Sequence, residues 1–132
     1  MSTTIQPTNG AAPATPSMLS WGDPGAVQPG YRWLYPGAAP SAPNALELFL
    51  AQGFTCIHLA VHVLVPPAAG IVNSFYLCRN ALTQVEVKVS AGQSEYYVDC
   101  NIRFSPGDRI SVVASGEDSG NATGVQVTAT YI

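Results

Sequence analysis

The stretch Thr83-Gln84-Val85-Glu86-Val87-Lys88-Val89 places a valine at every second position, with Gln84, Glu86 and Lys88 between them. Side chains of an extended chain point alternately to opposite faces, so this period of two marks a strand with one face buried and the other in water. Residues 124–132 repeat the pattern: Val125, Val127, Ala129 and Tyr131 alternate with Gln126, Thr128 and Thr130. Alternation of this kind belongs to antiparallel sheets, which cover one face and solvate the other.

Working outward, the same period recurs through most of the chain. In the longest apolar stretch, Thr55, Ile57, Leu59, Val61, Val63 and Val65 fall on one face and Phe54, Cys56, His58, Ala60, His62 and Leu64 on the other, so both faces read as covered. Further strands are predicted at 73–79, 95–104 and 109–115, separated by turns at 66–70, 79–81, 91–93, 105–108 and 116–123. Leu46, Leu48 and Leu50 also alternate, although residues 45–52 equally suit one helical turn. About seven short strands without a convincing helix predict an all-β fold, a jelly-roll-like antiparallel β-sandwich over residues 45–132.

Residues 1–44 have different physics. They hold eight of the eleven prolines and only two charges, Asp23 and Arg32. Proline fixes φ and removes a backbone donor, which excludes a helix or a sheet interior and predicts an extended proline-rich arm. Yet Trp21, Tyr31, Trp33, Leu34 and Tyr35 are large side chains for which a solvated linker has no use. Set between Pro24-Gly25, Pro29-Gly30 and Pro36-Gly37 turns, they read as interface anchors of the arm, docked on a neighbouring molecule; folding back as an extra edge strand is the alternative.

Composition narrows the function classes. The chain has 132 residues, enough for one domain, of which 47% are hydrophobic and only 10% charged, against roughly 25% charged in ordinary soluble proteins. A surface so neutral suits an assembled subunit, since large apolar patches mark binding sites. A net charge of −3 and five scattered basic residues argue against nucleic acid as a partner. The longest apolar stretch is interrupted by His58 and His62 and stopped by Pro66-Pro67, so no membrane span is expected.

Cys56, Cys78 and Cys100 form no CxxC or Cys/His cluster and read as small buried hydrophobes, with a Cys56–Cys100 or Cys78–Cys100 disulfide left open. His58 and His62, four apart on a strand, lie about 13 Å from each other and do not chelate one ion within a chain. The oxygen-rich loop Glu117-Asp118-Ser119-Gly120-Asn121 lacks the ligand spacing of an EF-hand and reads as a solvated turn. Asp99 and Cys100 point to opposite faces of a strand, and Asp108-Arg109 reads as a turn carboxylate and its neighbour. No nucleophile with a base, carboxylate pair or glycine loop has supporting context, so neither enzymatic activity nor a cofactor or metal is expected.

The stretch Ser74-Phe75-Tyr76-Leu77-Cys78-Arg79-Asn80, the Thr83–Val89 strand and Phe104-Ser105-Pro106-Gly107-Asp108-Arg109-Ile110-Ser111-Val112 together resemble a virion-surface module. The pattern is similar to the trimeric, C1q/TNF-like jelly rolls of capsid decoration (cement) proteins and head fibres of tailed bacteriophages, cyanophages among them. The resemblance covers about residues 54–132. Its Pro-Gly-Asp-Arg turn is the informative part. Ala81 stands where the family often has glycine, which predicts a hairpin longer than two residues. The resemblance implies a homotrimer on the outer capsid surface, assembled in the host cytoplasm and partnered by the major capsid protein, with no catalytic residues. A receptor- or carbohydrate-binding fibre domain on the same fold is the alternative.

Overall fold

The computed structural model describes residues 16–37 and 46–132. They form ten strands: β1 (Ser17–Ala26), β2 (Gly30–Trp33), β3 (Tyr35–Pro36), β4 (Leu48–Phe49), β5 (Phe54–Val65), β6 (Asn73–Arg79), β7 (Leu82–Val89), β8 (Glu95–Phe104), β9 (Arg109–Gly116) and β10 (Thr123–Tyr131). One sheet, here sheet A, has the order β3-β1-β10-β5-β8. Sheet B has the order β2-β9-β6-β7, with β4 pairing onto β9. Every pairing is antiparallel. The chain is therefore the all-β antiparallel sandwich that the alternating valines predict. The interleaving of first and last strands in each sheet is the jelly-roll order.

Register decides which side chains meet. Trp21 lies opposite Val127, Val127 opposite Val61 and Val61 opposite Tyr96, while Leu19, Ala129, Leu59 and Val98 form the next inward row. From sheet B come Ala114, Phe75 and Val87 in one row and Val112, Leu77 and Val85 in another. Trp21, Phe75, Leu59, Leu77, Val61, Val112 and Val127 have no more than 1% of their surface exposed. Removing each such side chain from water contributes about 1.5–3 kcal/mol, and the two inner faces together make one core.

Four features differ from the sequence reading. The boundary expected after residue 44 is displaced, because residues 17–36 supply the first strands of both sheets; the rest of the expected arm, 1–15 and 38–44, lies outside the described residues. β1 accommodates Pro24 in a bulge between Asp23 and Ala26, where the ladder is interrupted and no N–H is needed. There the Asp23 carboxylate accepts the Gly25 N–H at 2.9 Å, a local bond that shapes such turns. Pro36 sits in the short edge strand β3, where a missing donor is tolerated.

A second bulge lies between Cys56 and His58. It turns Cys56 onto the inner face with Leu59, Val61 and Val63 and leaves His58, Ala60, His62 and Leu64 on the outer face, so the face read as covered is open to solvent at His62 and Leu64. Third, of the segment read as residues 45–52, only Leu48 and Phe49 pair as a strand. Fourth, the hairpin between β6 and β7 is closed by two residues after all: Arg79 pairs with Leu82, and Asn80 and Ala81 take φ of 52° and 67°. That conformation suits a two-residue turn but is unfavourable for alanine. Asn80 steadies it, donating to Asp108 Oδ1 at 3.0 Å and accepting the Arg109 N–H at 2.8 Å.

Candidate interaction faces

The five aromatic and apolar residues assigned to an interface part company in the structure. Trp21 is fully buried in this chain's own core, and Leu34, 1% exposed, fills it where the chain crosses from sheet B to sheet A. Leu34 also donates its N–H to the Val112 carbonyl at 2.9 Å. Both are corrected from docking anchors to core residues, because strand alternation drives them inward. Tyr35 pairs with Gly22 at the edge of sheet A and is half-buried.

Tyr31 and Trp33, by contrast, occupy the outer face of sheet B. Trp33 lies opposite Val113, and Val113 opposite Tyr76; Tyr31 lies one row away, opposite Ser115. The Tyr31 and Tyr76 rings sit 6.1 Å apart at 46°. These three rings, with Val113 and Cys78 as the floor and Thr83 at the rim, enclose an open cleft of about 290 Å³. Tyr31 remains 65% exposed. Burial raises the Tyr76 phenol above its ordinary value, with Glu86 and Tyr31 adding to the effect and the Ser74 hydroxyl opposing it. Tyr76 escaped the sequence reading, although it is the aromatic between inward-facing Phe75 and Leu77.

The outer face of sheet A is of another kind. Across β1, β10, β5 and β8 its rows are Met18, Thr130, His58 and Asp99; Ser20, Thr128, Ala60 and Tyr97; and Gly22, Gln126, His62 and Glu95. Small neutral side chains hold the middle, and Ser20 Oγ lies 3.4 Å from Thr128 Oγ1. Within these rows Asp99 and Glu95 supply the carboxylates, both on β8. His58 Nδ1 is 2.9 Å from Asp99 Oδ1, and its ring stacks on Tyr97 at 5.4 Å. Two shallow hollows, of about 510 and 220 Å³, follow one another along this face and share His62 and Gln126.

No family model and no curated protein matches the chain.

Among the described residues no group of three or more His, Cys, Asp or Glu is placed to hold a metal ion. Cys56 and Cys100 face each other with sulfurs 3.7 Å apart, while Cys78 lies in the other sheet; all three are free thiols. Burial pushes the Cys56 thiol up to about 12, with Cys100 adding to the effect. Burial also raises Cys78 and Cys100, so none is an activated nucleophile.

The 117–121 loop is organised by its asparagine. Asn121 Oδ1 accepts the Glu117 N–H and an Asn73 amide proton, both at 2.9 Å, and Asn121 Nδ2 donates to the Val27 carbonyl at 2.8 Å. Asn73, fully buried, accepts the Ala122 N–H at 2.7 Å. This clasp joins the β1–β2 link, the start of β6 and the β9–β10 loop. Nothing in the local sequence singled out Asn73. At the opposite turn, the Asp108 carboxyl is held below its ordinary value by the Ser105 N–H and then by Asn80, with Arg79 adding a smaller contribution.

Proposed function

We propose that the chain is a structural virion subunit: a capsid decoration protein whose jelly rolls join as a homotrimer on the outer capsid surface and brace the major capsid protein. The outer face of sheet A carries this reading. The twelve positions of its three rows contain two carboxylates and no lysine or arginine, the nearest basic group on the face being exposed Arg103, opposite Thr55 toward the end of β8, and the small side chains at the centre of these rows let a second copy approach closely. At strand spacings of about 4.8 Å and about 3.4 Å per residue, the face measures on the order of 400 Å². A standard interface uses about 800 Å² on each partner, so further contact is required, and residues 1–16, which precede β1, are available to supply it. Exposed Met18 and Tyr97 lie within these rows, and exposed Leu64 borders them.

The test is to add the purified full chain to shells that lack it and follow the temperature at which they disrupt. The proposal expects saturable binding, in a fixed ratio to the major capsid protein, and a raised disruption temperature. Shells that neither bind the chain nor gain stability would remove the capsid role.

A further inference from the structure

The cleft between Tyr31, Trp33 and Tyr76 fits a ligand that presents flat, weakly polar rings in an extended backbone. Proline-rich segments in polyproline geometry have this shape, and they dock in grooves lined by aromatic side chains because little conformational freedom is left to lose. The chain carries two such spacings, P-x-x-P at Pro13-Ala14-Thr15-Pro16 and at Pro40-Ser41-Ala42-Pro43, and in the first Pro16 leads directly into β1.

We infer that the Pro13–Pro16 motif of one copy occupies the Tyr31/Trp33/Tyr76 cleft of another. Reach decides between a copy's own cleft and a neighbour's. Ser17 is fixed opposite Tyr131 in sheet A, whereas the cleft opens on the far side of sheet B. Four residues of polyproline helix span about 12 Å. Separation of the two sheets alone takes about 10 Å, before the chain has rounded the edge and the cleft's aromatic walls. A motif so close to β1 is therefore too short to reach its own copy's cleft. The resulting contact is heterologous, motif to cleft, and contacts of that type close into rings when the rotation allows. It concerns copies of this chain and stands whether or not a shell is their support.

The test uses full chains and nuclear magnetic resonance. A ¹⁵N-labelled chain carrying Pro13→Ala and Pro16→Ala keeps its cleft and the Pro40–Pro43 spacing but lacks the Pro13–Pro16 motif, and its two indole signals report Trp21 in the core and Trp33 in the cleft. Adding unlabelled native chain should shift the Trp33 indole and leave that of Trp21 in place. Adding unlabelled chain with the same two alanines should shift neither. Introducing Tyr31→Ala into the labelled chain should weaken the response at least about tenfold, the loss expected for truncating an aromatic anchor. Equal shifts from motif-bearing and motif-free partners, or none from either, would overturn the inference. A Trp33 response to free oligosaccharides in place of the native chain would assign the cleft to a glycan and overturn it equally.

Discussion

β1 and β10 run side by side in sheet A over eight paired positions, yet they hold their places by different means. β10 needs only its own pattern: Val125, Val127 and Ala129 face the core at every second residue. β1 offers a single large anchor, Trp21, flanked by Leu19 on one side and Asp23 on the other, and then bends at Pro24. The first strand is thus held by one side chain and by its neighbour's ladder, while the last is held by repetition. Interior rows that unite the two, such as Trp21–Val127–Val61, show that a strand can be integral to a core without carrying a strand's usual sequence.

The most direct way to break this comparison is Trp21→Ala. It should cost about 3–5 kcal/mol, the range for truncating a large buried aromatic, measured by urea unfolding. A loss below about 1 kcal/mol would mean that β1 is an accessory strand. Asn73→Ala tests whether the loops beside β1 and β10 are joined as described: it strips the buried Ala122 N–H of its acceptor and should cost about 1–3 kcal/mol, whereas no change would remove the clasp from the account. Ala81→Gly should act in the opposite direction, stabilising by about 1 kcal/mol through relief of the left-handed conformation at φ 67°; its failure would place the turn's strain elsewhere.

The thiols give a pH-dependent effect on the β5–β8 pair that completes sheet A. Cys56 ionises near its ordinary value of 9.0 when unfolded and only at about 12 when folded. Its contribution is therefore intact below pH 9 and is lost as pH rises toward 12. Urea midpoints measured at rising pH should fall above pH 9, and the fall should be shallower in Cys56→Ala, although that variant starts from lower stability. Identical slopes would show that Cys56 is not shielded as described.

How much could be read from the residues follows from the same contrast. Val85, Val87 and Val89 and the 124–132 stretch disclosed the sandwich because every second residue repeats one preference. The strands in residues 17–36 stayed hidden because proline content argues locally against a ladder, and only the register with β10 and β9 shows where a bulge or an edge makes proline tolerable. The Cys56–His58 bulge was invisible for a related reason: an inserted residue shifts the phase of alternation without altering composition. Of the anchors, Tyr31 and Trp33 do lie on an outer face. Trp21 and Leu34 were misplaced because large apolar side chains suit a core and an interface alike, and only the fold separates the two.

The most direct test of the account is the mass in solution of the full chain and of its Thr128→Arg variant, which puts a charge at the centre of the outer face of sheet A. The native chain should behave as a trimer of 13.8 kDa subunits, and the variant as a monomer with an unchanged strand signal in circular dichroism. A native monomer, or a trimer indifferent to Thr128→Arg, would contradict the claim that this face joins the copies.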